Sequence, residues 1–255
     1  MKRAWILICA LLFSTIPQAQ IAEPHRKIFV GGTPLYAITH VSDAASGGEV
    51  STVVSSISTT TVNYAVSVGN LLVCFGRASG IATITLSDTA GNTFTATNSA
   101  VSNSSIGTNQ LFYSVITAAS SADVITQAMS PGSNYNTLVC RQFSKAGGSW
   151  HLDAAPAGVS NVGSSTATSN TFTTTQATEL ILFIYTSYGG NSPSPSTAPT
   201  IGGVGVSTTQ YTSATVSDQW NFYLLASTVQ TGITGTTTLG STDPWAAWVA
   251  SFYAQ

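Results

Sequence analysis

Short runs rich in β-branched and aromatic residues, separated by clusters of Gly, Asn, Asp, Pro and Ser, make up most of the chain. In Ile81–Leu86, for example, Thr83 and Thr85 alternate with hydrophobic residues, as expected of a strand with one buried face. No window of a dozen residues beyond the N-terminal segment has a convincing 3.6-residue periodicity. Because parallel strands need long crossover connections, the pattern predicts an all-β, antiparallel β-sandwich of jelly-roll-like type.

Fourteen strands are predicted from these runs. They span residues 51–58, 63–68, 70–76, 82–87, 93–97, 110–116, 123–129, 136–144, 169–174, 179–187, 204–209, 220–227, 234–239 and 245–253. The segment 88–92 (DTAGN) is predicted to be a tight hairpin loop between two of them, with Asp88 in an Asx-turn and Gly91 at positive φ.

Serine and threonine supply most of the polar surface, with 73 of the 255 residues. Threonine fits a pleated sheet, and the hydroxyls of both residues compete with helical backbone hydrogen bonds. Charged residues make up only 6% of the chain, against roughly 25% in ordinary soluble domains. With a net charge of −2 and no basic patch, the chain lacks an electrostatic basis for binding nucleic acid or anionic membranes.

The N-terminus is typical of a signal peptide. Lys2 and Arg3 precede ten apolar residues, Ala4–Phe13, and a polar segment, Ser14–Ala19. Ten apolar residues are too few to cross a bilayer, which needs roughly 20, and no later run is long enough. We expect cleavage after Ala19 and a secreted, periplasmic or cell-surface protein without a membrane span; a retained N-terminal anchor is the alternative.

The chain contains an internal repeat whose elements keep their order. Asn70–Val73 matches Glu179–Leu182 and Thr137–Phe143 matches Ala246–Phe252, each at a separation of 109 residues, and Gln110–Tyr113 matches Gln219–Tyr223 with one inserted residue. The predicted organisation is a signal peptide (1–19), a lead-in segment (20–49) and a β-sandwich (50–255) with halves 50–145 and 165–255 joined by 146–164. Separate domains are an alternative, but each half has too few long strands to cover both its faces, which favours one sandwich.

Cys74 and Cys140 are the two cysteines left after removal of the leader, and each lies in an apolar run. An oxidising compartment permits a disulfide between neighbouring strands, and two buried free thiols are equally compatible with the sequence. Two cysteines without a nearby histidine pair do not make a zinc site.

The acidic residues and histidines form no catalytic or metal motif in the sequence. Asp88, Asp153 and Glu179 are the carboxylates that a polysaccharide hydrolase would use, but most acidic residues lie at turns or strand ends. The serines near His151 do not match a nucleophile elbow, and His40 has no ligand-spaced partner. We therefore assign no catalytic residue, metal ligand or cofactor.

Aromatic side chains near predicted turns are the candidate ligand-binding residues. Exposed rings stack on sugars, and neighbouring polar groups bond the hydroxyls. The residues chosen on this basis are Tyr188, Tyr211, Trp220 and Trp245.

These features predict a non-enzymatic module that binds a glycan or another surface polymer, or acts in adhesion. One alternative is a structural subunit, a possible homo-oligomer, in which Ile21–Ile38 adds as a strand to a neighbour. A less favoured alternative is a polysaccharide hydrolase.

The succession NLLVCFGR, SDTAGNTF, NQLFYSVI, TFTTTQATELILFIY and PWAAWVASFYA resembles a group of secreted, largely uncharacterised β-sandwich proteins of environmental bacteria. The resemblance covers residues 50 to 255, and its motifs shape the fold. It implies a jelly-roll-like sandwich and carries no catalytic residues to this chain.

Overall fold

The computed structural model describes residues 28–30, 33–49, 58–133, 135–188, 196–213 and 217–255. Within these ranges all regular structure is β-strand, and the strand pairs are antiparallel. The same part of the chain contains no apolar helix of membrane-spanning length. The predicted all-β sandwich class is confirmed; the predicted strand at 51–58 lies, except for Ser58, outside the described residues.

Nineteen strands follow one another along the chain. They are β1 (Ile28–Val30), β2 (Thr33–Leu35), β3 (Ile38–Glu49), β4 (Ser58–Val66), β5 (Leu71–Ala78), β6 (Thr83–Asp88), β7 (Thr95–Ala96), β8 (Val101–Asn103), β9 (Gly107–Val115), β10 (Ser120–Ser130), β11 (Tyr135–Lys145), β12 (Trp150–Ala154), β13 (Val159–Thr168), β14 (Glu179–Tyr188), β15 (Thr200–Ile201), β16 (Val204–Gly205), β17 (Ser207–Ser213), β18 (Ser217–Ala226) and β19 (Gly235–Ala254).

These strands form three main sheets. The three-stranded sheet has the order β4-β10-β6, and the six-stranded sheet has the order β3-β11-β5-β9-β7, with β8 beside β9. The eight-stranded sheet has the order β16-β15-β19-β14-β18-β17, with β12 and β13 beside β19. A separate hairpin pairs β1 with β2.

The sheets are stacked as layers, with the six-stranded sheet in the middle. One of its faces, with Val73 and Phe75, packs on Trp248 and its neighbours in the eight-stranded sheet. Its other face, with Leu72, packs on Ile125 and its neighbours in the three-stranded sheet. Central strands such as β5 are therefore buried on both faces, which explains why they are continuously apolar in sequence.

The internal repeat found in the sequence also appears in the order and pairing of the strands. The order β11-β5-β9 in the first half matches β19-β14-β18 in the second. Cys140 lies opposite Cys74, and Val249 lies opposite Phe183, so both partners are displaced by 109 residues. Equivalent faces of the two halves meet in the shared core. Residues of the two halves thus share one core.

The lead-in segment differs from the prediction. Residues 38–49, expected outside the sandwich, form edge strand β3 of the six-stranded sheet through pairing with β11. Residues 28–30 and 33–35, within the segment expected to be able to add to a neighbour, pair with one another as β1 and β2. The hydrogen bond from Tyr36 N to Ala254 O, 3.1 Å, also ties this segment to the end of the chain.

The loop after β6 is not the predicted hairpin. β6 pairs with β10 in the three-stranded sheet, whereas the next strand, β7, pairs with β9 in the six-stranded sheet. The loop therefore connects two layers. Gly91 has the predicted positive φ, +84°. Asp88 Oδ1 accepts hydrogen bonds from Gly91 N and Asn92 N, both 2.7 Å, which are three and four residues on rather than the two of the predicted Asx-turn.

The segment between the halves also differs from the prediction. Residues 146–164 were expected to be a joint, yet β12 and the first part of β13 lie there and pair with β19. Conversely, the predicted strand at 169–174 contributes a single bridge, Phe172 to Ile233. The sequence did not predict β13 because this strand consists mainly of small, polar residues. Most of its side chains are exposed or half-buried at the periphery of the sheet.

Candidate functional site

The two tryptophans predicted to bind a ligand are part of the core. Trp220 is 7% exposed and Trp245 is 4% exposed. Trp220 stacks on Tyr185 with ring centroids 6.2 Å apart, and Trp245 Nε1 donates a hydrogen bond to Ser164 O at 3.1 Å. The prediction assumed exposed rings, but these two rings are buried because the outer face of the eight-stranded sheet is itself covered by other segments, including Phe172.

The two predicted tyrosines are located only by their backbone. Tyr188 is the last residue of β14, opposite Ser217, and Tyr211 lies in edge strand β17, opposite Gln219. Their side chains are outside the described part of the structure. A ligand-binding role for them therefore stays a prediction.

A surface of hydroxyl groups covers the outer side of the three-stranded sheet. Its inward side chains, such as Val62 and Ile125, are buried against the six-stranded sheet, so the alternate residues point outward. We call this outer surface the threonine face; it consists of Thr59, Thr61, Asn63, Thr83, Thr85, Ser87, Val124, Thr126, Ala128 and Ser130. Seven of these ten residues carry a hydroxyl, and none is charged.

The hydroxyls of the threonine face lie in rows across the sheet. Thr126 in the central strand is opposite Thr61 on one side and Ser87 on the other. Ala128, two residues further, lies between Thr59 and Thr85. Neighbouring hydroxyl positions are therefore about 4.8 Å apart between strands and about 6.8 Å apart along them.

A shallow groove runs along the threonine face between β6 and β10. It has a volume of about 110 Å³ and is lined by Thr83, Thr85, Ala128, Met129 and Ser130. Two of these lining residues, Ala128 with its small side chain and Thr85, lie opposite each other in β10 and β6. Pockets for drug-sized molecules occupy roughly 300–1,000 Å³. This groove therefore fits part of an extended chain better than an enclosed small molecule.

Two pairs of acidic residues come together in the fold, and the first is Asp88 with Asp123. Asp123 is fully buried and its Oδ1 accepts hydrogen bonds from Thr89 N and Ala90 N, both 3.1 Å. Burial raises the pKa of Asp123; the hydrogen bond from Thr89 opposes this rise, and the Asp88 carboxylate adds to it. Both carboxylates thus hold the loop that connects the two layers.

The second pair is Asp153 with Glu179. Asp153 Oδ2 accepts a hydrogen bond from Thr175 N at 2.7 Å, and Glu179 Oε1 accepts one from Gln176 N at 2.9 Å. Burial raises the pKa of the fully buried Glu179 to about 8, and the Asp153 carboxylate contributes to the rise. The pair resembles a proton-sharing dyad. Its hydrogen bonds to the backbone of residues 175 and 176 give it a structural role.

A cluster that sequence reasoning missed begins at a bulge in β3. His40 lies opposite Phe143 and Asp43 lies opposite Arg141, so four residues of β3 lie opposite three of β11, and Val41 is the extra residue. The bulge places His40 and Asp43 on the same face of the sheet. There, His40 Nε2 lies 2.9 Å from Asp43 Oδ1.

This cluster joins the lead-in strand to both halves of the sandwich. Arg141 Nε lies 3.2 Å from Asp43 Oδ1, and the guanidinium carbon lies 5.2 Å from the ring centre of Tyr223 in β18. His40 stacks on the same tyrosine ring at 5.1 Å. Burial lowers the pKa of Arg141, and Asp43 opposes that change. In a regular strand, residues three apart point to opposite faces. The sequence therefore does not indicate that His40 and Asp43 share a face, because the bulge is not visible in it.

The two cysteines are joined. Cys74 and Cys140 are paired residues of β5 and β11 and form a disulfide. Of the two alternatives compatible with the sequence, the structure therefore has the cross-strand bridge. Among the described residues, no group of three or more His, Cys, Asp and Glu side chains is placed to hold a metal ion.

The chain was compared with protein-family models, with curated proteins and with solved structures, and none of the three comparisons finds a match.

Proposed function

We propose that this chain is a secreted, non-enzymatic β-sandwich module that binds a neutral glycan or another neutral surface polymer on its threonine face. The observation that carries the proposal is the array of hydroxyls in register, with Thr126 between Thr61 and Ser87. Each hydroxyl can both donate and accept a hydrogen bond, so the array matches a polymer that is itself rich in hydroxyls.

The lack of charge on this face supports a neutral ligand. A surface without ionised groups has no means of selecting an anionic or cationic polymer over a neutral one. Threonine also presents a methyl group beside each hydroxyl, so it can contact the apolar faces of sugar rings. The groove between Thr85 and Ala128 gives an extended chain a place to lie along the strands.

Secretion is part of the same proposal. The sequence Lys2–Ala19 has the three regions of a signal peptide. The disulfide between Cys74 and Cys140 supports an oxidising compartment. Cell fractionation with an antibody to the protein tests this part: the processed chain is expected outside the cytosol, and an unprocessed cytosolic chain would contradict it.

The binding proposal is tested by pull-down on a panel of insoluble neutral polysaccharides. The variant with Thr61→Val, Thr85→Val and Thr126→Val keeps the shape of the surface and removes three hydroxyls. We expect it to bind at least tenfold more weakly than the wild type, while Thr171→Val, an exposed threonine outside the face, binds normally. The proposal would be refuted if the wild type bound no polysaccharide of the panel, or if the triple variant bound as tightly as the wild type.

A structural role through strand edges is the second candidate. In the six-stranded sheet, β3 pairs with β11 on one side, and no described strand pairs with its other side. Such an edge can pair with another copy of the chain. Val41, an exposed residue of the bulge, allows a test: Val41→Lys is expected to dissociate an edge-to-edge oligomer in size-exclusion chromatography. A wild-type monomer at high concentration would exclude this candidate.

A further inference from the structure

A small cavity lies between the six-stranded and the eight-stranded sheets. Its volume is about 10 Å³, which is roughly the space that one water-sized ligand needs. The residues that line it are Val73, Phe75, Leu111, Val139, Arg141, Leu182, Ile184 and Asn221. Six of these eight residues are aliphatic or aromatic, so the two polar side chains determine what the cavity can bind.

Both polar side chains are buried and present hydrogen-bond donors. Arg141 and Asn221 are each 2% exposed. The Nη1 and Nη2 atoms of Arg141 and the Nδ2 atom of Asn221 have no hydrogen-bond partner among the described residues. A guanidinium has no acceptor, and the amide nitrogen only donates. A ligand in this cavity must therefore accept hydrogen bonds.

The internal repeat shows that the fold does not require polar residues at these positions. The residue equivalent to Arg141 in the second half is Ala250, and the residue equivalent to Asn221 in the first half is Leu111. Both apolar equivalents lie in the shared core. Burying an arginine is costly, and apolar replacements of buried ion pairs are often neutral or stabilising. The two polar substitutions, one in each half, therefore point to a ligand between them.

The charges nearby leave room for a negative ligand. Asp43 Oδ1 lies 3.2 Å from Arg141 Nε, but none of the three guanidinium nitrogens makes a hydrogen bond within the described residues. His40 Nε2 contacts the same Asp43 oxygen, and the ring of Tyr223 lies over the guanidinium. One anion would be shared by a full positive charge and an amide donor, in surroundings that are otherwise apolar.

We infer that the cavity between the two halves binds a single monoatomic anion of the chloride type, held by Arg141 and Asn221. The small volume excludes polyatomic anions such as gluconate. The apolar walls favour chloride and bromide over fluoride, because fluoride holds its hydration shell more strongly. The anion fixes the two halves against each other, since Arg141 belongs to the first half and Asn221 to the second.

Thermal unfolding at constant ionic strength tests this inference. We expect the midpoint to rise by several degrees, and to saturate, when sodium gluconate is replaced by sodium chloride or bromide, because an anion that binds only the folded state stabilises it. Asn221→Leu should remove the dependence on chloride. Asn109→Leu, which alters another buried amide at the same interface, should lower the midpoint but keep that dependence.

Two further measurements separate an anion from a water molecule. Asn221→Asp places a carboxylate beside Arg141, so it should make the midpoint independent of chloride without lowering it. A crystal soaked in bromide should show an anomalous peak between β11 and β18. Equal stabilisation by gluconate, an unchanged chloride dependence in Asn221→Leu, or the absence of a bromide peak at this position would each overturn the inference.

Discussion

Cys74 and Cys140 lie directly opposite each other in neighbouring strands and form a disulfide, whereas Phe183 and Val249 occupy the equivalent positions in the second half. The fold thus accommodates either a covalent link or an apolar pair at the same place. The disulfide is therefore not needed for the geometry of the sheet. Its main effect is expected to be on the unfolded chain.

The first prediction concerns the loss of this disulfide. The bridge closes a loop with a sequence separation of 66 residues, so a loss of about 4 kcal/mol in unfolding free energy is expected on the chain-entropy estimate. The variant with Cys74→Val and Cys140→Val should show this loss in urea denaturation while keeping the circular dichroism of the folded protein. Equal stability of the oxidised and reduced wild type would contradict the prediction.

The second prediction concerns pH. The folded-state pKa of Glu179 is raised from 4.5 to about 8, so the folded state binds the proton more tightly than the unfolded state does. The stabilisation is complete below pH 4.5 and is lost as the pH rises to about 8. Unfolding in urea at a series of pH values should show this decrease.

Glu179→Gln provides the matched variant for the pH prediction, because it resembles the protonated acid and retains the oxygen that accepts from Gln176 N. At pH 8.5 it should be more stable than the wild type by about 2 kcal/mol, a value below the full effect of the pKa shift. A smaller dependence on pH should persist, since burial also raises the pKa of Asp123. An unchanged pH profile in Glu179→Gln would show that this pair is not the cause.

The third prediction concerns the tryptophans. The four in the described chain, Trp150, Trp220, Trp245 and Trp248, are all buried. The folded protein should therefore emit at shorter wavelengths than the unfolded protein, and acrylamide should quench it weakly. Trp245→Phe is expected to cost about 1–3 kcal/mol, through a lost hydrogen bond and a partly filled site, without weakening polymer binding. A binding loss in a folded Trp245→Phe variant would restore the role expected from the sequence.

The fourth prediction compares two glycines that both have positive φ. A Cβ added to Gly91 would meet no atom within 4 Å beyond its chain neighbours, whereas a Cβ on Gly107 would lie 2.0 Å from Ala78 O. Gly91→Ala should cost about 1 kcal/mol from backbone strain alone, and Gly107→Ala should cost more than about 3 kcal/mol because the backbone must shift. Similar urea midpoints for the two variants would contradict this difference.

Much of the fold could be predicted from the sequence because its signals are local or repeated. The short β-rich runs predicted most of the strands, and the segment matches at a separation of 109 residues predicted two related halves. The role of Asp88 as an acceptor within its own loop was also predictable, since its acceptor and donors are four residues apart or fewer. Each of these signals comes from residues close in sequence or from a regular repeat.

The candidate sites were less predictable because they depend on which layers cover each face. Trp220 and Trp245 lie near turns in sequence, but other segments, including Phe172, cover them in the fold. The threonine face combines strands β4, β6 and β10. Along the chain, strands of the six-stranded sheet lie between them. No local pattern indicates that Thr61, Ser87 and Thr126 share a row.

The sequence by itself determined that the chain forms antiparallel strands in two related halves, because side-chain alternation, turn residues and the repeat act over short or regular separations. The tertiary structure alone decided that Arg141 and Asn221 line one cavity and that residues 38–49 complete a sheet. The physical reason is that a strand buried on both faces has no alternation to show which side meets which layer. Contacts between layers are set only when all the sheets pack together.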